Sequence, residues 1–141
     1  MATFLFKTEP LTFSLSDLVR DKRATWDGIT NAAALINLRL VRPGDEILIY
    51  HTGDERAIVG LAKVVSQPRE DPKHPGKTPK GEPKFAVVDI APLRAAKSPV
   101  TLATLKGDKR FAAFPLVTRG RLSVLPVDAA FDRLIRAMAG L

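Results

Sequence analysis

Four short stretches of this chain carry side chains suited to recognising or transforming a small planar molecule. They are Lys7-Thr8-Glu9-Pro10, Trp26-Asp27-Gly28 with Asn31 just beyond, Tyr50-His51-Thr52, and Thr118-Arg119-Gly120-Arg121. Trp26 is the only tryptophan, and it directly precedes an Asp-Gly turn signal. An aromatic face beside a carboxylate, an amide and hydroxyls is the equipment for holding one flat, hydrogen-bonding ring. A base splayed from its stack gains roughly 1–3 kcal/mol on such a platform. Asn31 and Glu9 are then placed to read its edge, with basic residues on the flanking phosphates.

Each stretch also has an ordinary structural reading. A lone Trp belongs more often to a core than to a ligand site. Asp27 and Asn31 are typical residues for satisfying the free N–H groups of a helix start. Tyr50 and His51 alternate across a strand, so at most one faces a given side, and an isolated His is commonly a structural hydrogen-bonder. Arg119 and Arg121, on one face of an expected strand, can be plain solvated charges. No phosphate loop, dinucleotide fingerprint, nucleophile elbow or metalloprotease helix is present. The chain has no Cys and only two His, His51 and His74, which excludes disulfides, cysteine-ligated zinc and a His-rich metal site. No metal or cofactor is therefore expected.

The net charge is +7 and is unevenly spread. Arg94, Lys97, Lys106, Lys109, Arg110, Arg119 and Arg121 lie in one segment against Asp108 alone. A second basic stretch runs from Lys63 to Lys84. Such an excess favours a polyanionic partner, because neutralised phosphates release counterions; a solubilising face is the equal alternative. The absence of Cys, of a secretory leader and of any membrane-length apolar run points to a cytoplasmic protein without a membrane partner.

At 141 residues with 45% apolar content, one globular domain with a real core is expected. Residues 3–7 read as a strand. Ser14 and Asp17 have capping-box spacing and open a helix to about Arg20. Thr30 or Asn31 caps a second, mostly buried helix over 32–40, ended by Pro43-Gly44. Residues 47–51 and 58–66 form a hairpin around the turn at 53–57. The five-proline segment 67–84 excludes a helix or central strand and is expected to be a mobile loop. Strand 85–95, a short helix within 99–108, strands around Arg119-Gly120-Arg121 within 115–127, and a closing helix capped by Asp128 complete the order. Without βαβ alternation this predicts a small α+β barrel-like sheet.

Seven segments in order (FLFKTEP with FSLSDL, WDGITN, PGDEILIYHT, IVGLAKVV, FAVVDI, PVTLATLK and LVTRGRLSVLPV) resemble the EVE domain family, which includes many small bacterial proteins. The resemblance implies one EVE domain over 1–141, with the fold of a PUA-like mixed β-barrel (pseudobarrel) flanked by short helices, related to YTH and ASCH domains. It further implies a pocket for a modified nucleobase of DNA or RNA. Carried onto matching positions, the base pocket comprises Thr8, Glu9, Trp26, Asp27, Gly28, Asn31, Tyr50, His51 and Thr52. Lys7, Arg119 and Arg121, joined by the basic Lys109 and Arg110, are the expected phosphate contacts. Thr30, Ala32, Leu35 and Phe85 depart from the family pattern, where Arg, an aromatic residue, Arg and Trp are usual.

The expected function is thus a non-catalytic, monomeric nucleic-acid-binding module that captures a flipped or single-stranded modified base. One alternative is a hydrolase-type enzyme acting on a modified nucleobase or nucleoside, with Glu9 or Asp27 as base and Lys7 or His51 assisting. The other is a protein-interaction module using the 67–84 loop.

Overall fold

The apolar run Thr3–Thr8 forms strand β1, and a computed structural model describes residues 1–141 throughout. Three of its side chains, Phe4 to Phe6, are buried in sequence, as expected for a strand covered on both faces. Helix α1 (Leu15–Asp21) follows through the expected capping box: the Asp17 amide donates to Ser14 Oγ and the Ser14 amide to Asp17 Oδ2. Strand β2 (Ala24–Trp26), not foreseen, ends on the tryptophan. Helix α2 (Ala32–Leu38) is capped by Asn31, whose Oδ1 accepts from the Ala34 amide at 3.0 Å. Leu35, one of the family departures, lies in the core.

Strands β3 (Glu46–His51) and β4 (Ala57–Val64) make the expected hairpin. Its packing against α1 depends on Gly60, where a Cβ would stand 2.5 Å from Leu15 Cδ2 and 2.9 Å from the Arg94 carbonyl oxygen. In the 67–84 segment, β5 (Arg69–Glu70) pairs with the start of β6 (Ala86–Thr101). Arg39 reaches the carbonyls of Pro83 and Lys84, and buried Asp71 accepts from the Lys73 amide. Strand β6 is far longer than expected and runs through Pro92 and Pro99. Both sit at interruptions in the pairing with β4 (Leu61/Ala62 and Ile58/Gly60), where a missing N–H is tolerated.

Because β6 extends to Thr101, helix α3 (Leu102–Lys106) starts three residues past Pro99, with Thr101 as its cap. A 3-10 turn over Lys109–Phe111 precedes α4 (Pro115–Thr118), a single turn where a strand was expected. Only Val124–Val127 (β7) is strand in that region. Helix α5 (Ala129–Ala139) closes the chain as expected, except that Asp128, at the cap position, makes no side-chain cap bond.

The sheet order is β2-β6-β4-β3-β1-β7, with β1–β3 its one parallel pair. Three strands separate β1 from β2, yet the Phe6 and Trp26 rings meet at 5.6 Å between centroids. The sheet is therefore curled into a half-barrel. Helix α2 fills the gap between its two ends, packing on β6 and β7, with Asn37 Nδ2 donating to the Val124 carbonyl at 2.8 Å. This is the expected PUA-like α+β architecture. No helix is long and apolar enough to cross a membrane.

Candidate functional site

Parallel pairing brings the C-terminal ends of β1 and β3 out side by side, with Lys7 opposite Tyr50 and Thr8 opposite His51. The candidate residues gather around this rim, but in three neighbouring depressions rather than one pocket.

Trp26 is mainly a core residue. It is 7% exposed and packs on Phe6 and, edge-on, on Phe13 at 6.0 Å. Its open edge lines a cavity of about 320 Å³ bounded by Thr8, Thr12, Thr25 and Asp27. That volume is at the lower end of small-molecule sites. Thr8 Oγ1 is spent on the Phe13 carbonyl and Thr25 Oγ1 on Asp89, whereas the exposed Asp27 makes no internal bond. Gly28, at φ +75°, turns the chain away from this wall towards Asn31.

Asn31 borders a second cavity of about 310 Å³, shared with Ala33, Arg119, Gly120 and Arg121. Its Oδ1 is committed to the α2 cap, which leaves the Nδ2 group free to donate. Arg119 and Arg121 are exposed and have no acidic partner. They flank the turn after α4 instead of sharing a strand face, which corrects the expected placement. The turn is fixed by Lys7, whose Nζ donates to the Gly120 carbonyl at 2.8 Å. Half-burial pushes the Lys7 ammonium below its ordinary pKa.

The third cavity, of about 210 Å³, also borders Gly120 and is lined by Lys7, Tyr50, Thr52 and Arg56. The Glu9 carboxylate and the His51 imidazole are both taken up by internal hydrogen bonds. Glu9 accepts from the Leu11 amide and from Thr52 Oγ1, bracing two turns against each other. A side chain at Gly53, where φ is +72°, would strike its Oε2 at 2.7 Å. His51 Nε2 accepts from the Leu15 amide at 3.0 Å inside the fold. Its Nδ1 must then carry the proton and donate to Glu55 at 3.1 Å. Both ring nitrogens are committed to structure, as in the plainer reading of an isolated His.

Of the remaining basic candidates, Lys109 is exposed and unpaired. Arg110 is not free: Asp108 binds it through Nε and Nη2, the latter at 2.7 Å, and this hydrogen bonding raises the guanidinium's pKa. Arg56 was missed by sequence reasoning, and only its position one turn after Tyr50-His51-Thr52 could have drawn attention to it.

The sequence profile of the EVE domain matches residues 2–138. Thymocyte nuclear protein 1 of Rattus norvegicus is 30% identical over a match that covers 94% of this chain and 71% of that protein. The crystal structure of protein PSPTO5229 from Pseudomonas syringae is 35% identical, with a TM-score of 0.87 over 98% of this chain and 99% of that one. Human THYN1 protein, solved in complex with 5-methylcytosine-containing DNA, is 27% identical with a TM-score of 0.86 over 98% of each chain.

Proposed function

Since the chain belongs to the EVE domain family, we propose that it binds nucleic acid and receives one modified base, flipped or single-stranded, beside Trp26. The observation that carries this reading is the open edge of an otherwise buried indole, next to the unpartnered Asp27 carboxylate. A carboxylate at that position suits an exocyclic amino group such as the N4 of a cytosine. The free Asn31 amide supplies a donor one cavity away, and Arg119, Arg121 and Lys109 supply unpaired cations for backbone phosphates. The human relative solved with 5-methylcytosine DNA supports the ligand class. Opening a duplex costs a few kcal/mol, less for a single strand, so single strands are the favoured substrate form.

Because Trp26 is the sole tryptophan, its fluorescence reports directly on the site. Titration with single-stranded oligonucleotides, DNA and RNA, carrying cytosine or 5-methylcytosine should change Trp26 emission at lower concentration for the modified strand. Asp27→Asn should remove that preference, whereas Arg121→Ala should weaken both strands alike. Equal affinities with unperturbed emission would overturn the base reading. Release of a modified base or nucleoside, abolished by Glu9→Gln, would replace it with an enzymatic one.

A further inference from the structure

The cavity between Tyr50, Lys7 and Arg56 has no part in holding a base beside Trp26. We propose that it is a phosphate-binding site, in which the Tyr50 hydroxyl and the Lys7 and Arg56 cations grip one phosphate oxyanion. Tyr50 is 3% exposed, yet its hydroxyl has no hydrogen-bond partner in the protein. No side-chain oxygen or nitrogen is both fully enclosed and unsatisfied, so this hydroxyl keeps an opening to solvent. Tyr50 lines the cavity, and the opening is assigned to it. A hydroxyl at such an opening, with no partner in the protein, is available to donate to a bound oxyanion in place of water.

The groups around it are cationic. Lys7 Nζ lies 5.8 Å from the centroid of the Tyr50 ring, and neither Lys7 nor Arg56 has a carboxylate partner. Burial pushes the Tyr50 hydroxyl above its ordinary pKa, so it stays a donor, while the Arg56 charge acts on it in the opposite sense. Arg56 holds φ +44°, a conformation that L side chains adopt at a cost, and its Nε is anchored on the Gly53 carbonyl. Thr52 also lines the site, but its Oγ1 faces the Glu9 carboxylate at 3.2 Å. Glu9 does not itself line the cavity, but its carboxylate sits against two residues that do, Thr52 and Gly53.

The site stands on this geometry; only the source of its phosphate, the nucleic-acid backbone, rests on the function proposed above. Lys7 links the two, because its other contact is Gly120, between the Arg119 and Arg121 cations.

Tyr50 and Trp26 are each unique in the chain, so one ring resonance of ¹³C-tyrosine and one indole ¹⁵N resonance read the two sites separately. Inorganic phosphate should shift the Tyr50 signal and leave Trp26 in place; 5-methylcytidine, which has no phosphate, should do the reverse. A single-stranded oligonucleotide containing 5-methylcytosine should move both. Arg56→Gly removes the cation and relieves the backbone strain, so folding is not at risk. It should abolish the phosphate response at Tyr50, keep the nucleoside response at Trp26, and reduce the log–log salt slope of oligonucleotide binding by about 0.7. Tyr50→Phe, read through affinity, should weaken oligonucleotide binding about threefold or more. A Tyr50 signal unmoved by saturating oligonucleotide while Trp26 responds would overturn the proposal and leave the base reading standing. Movement of Tyr50 alone would do the opposite. A response to inorganic phosphate but not to oligonucleotide would overturn the backbone as the source.

Discussion

Asn31 has two jobs that a single substitution can separate. Its Oδ1 caps α2, and its Nδ2 faces the cavity beside Arg119 and Arg121. Asn31→Asp keeps the cap, so thermal stability should stay within about 0.5 kcal/mol, whereas Asn31→Ala should lose about 1 kcal/mol. Both should weaken oligonucleotide binding. Asp should be the worse of the two, by at least about tenfold against wild type, because it places a negative charge where phosphates are expected; filter binding or anisotropy would show the order. His51 is the opposite case. Its Nε2 satisfies the Leu15 amide in the interior, so His51→Leu leaves that donor stranded. Urea denaturation should show a loss of about 1–3 kcal/mol, with affinity per folded molecule unchanged. These residues also show what was legible in the sequence. Asn31 as a cap and His51 as a hydrogen-bonder followed from local chemistry. That Glu9 braces Thr52 and Gly53 did not, because that contact links residues 43 positions apart that only the β1–β3 pairing brings together.

Among the elements, the β2–β6 edge is reinforced by one carboxylate. Asp89 accepts from Arg23, Arg69 and Thr25, so it adds side-chain ties to the backbone ladders that join β2 and β5 to β6. Burial would raise its pKa, but the hydrogen bonds from the two guanidinium groups and the hydroxyl outweigh that, and its pKa falls from 3.8 to about 2. The ionised form is the one the fold favours. Its contribution is therefore complete above the unfolded value near 4 and disappears as pH falls towards 2. Wild type should lose at most about 2 kcal/mol more than Asp89→Asn across that window in acid denaturation curves, and the variant should already be the weaker at pH 7. Element boundaries were legible where a cap fixed them, as at Ser14 and Asn31, whereas α2 ends at Leu38, two residues before the expected end ahead of Pro43-Gly44. Three-residue β2 carries too short a pattern to announce itself. Pro92 and Pro99 argued for breaks, and only the irregular pairing with β4 shows how one strand passes through both. Val117 and Thr118 suggested strand, but Pro115 at the first helical position won.

For the molecule as a whole, a charge of +7 on a small half-barrel should make binding to any nucleic acid fall with salt, modified base or not. Replacing both Arg119 and Arg121 with Gln should flatten the salt slope by about 1.4 for single strands and leave the modified-to-unmodified ratio intact. Salt titrations of matched oligonucleotides would separate the two effects. The fold class was legible from the order of elements; the closure of the curl by α2 was not, since it depends on Asn37 meeting Val124 across 87 positions. The pairing of β1 has a kinetic corollary. The strand nearest the N-terminus is flanked by residues 46–51 on one side and 124–127 on the other, so neither neighbour is available when it leaves the ribosome. Its edge towards β3 can pair once residue 51 is out, but its other edge must wait until almost the whole domain has been translated. Folding should be slow for the chain's size, and a nascent chain stalled before β7 should be a ready client for chaperones.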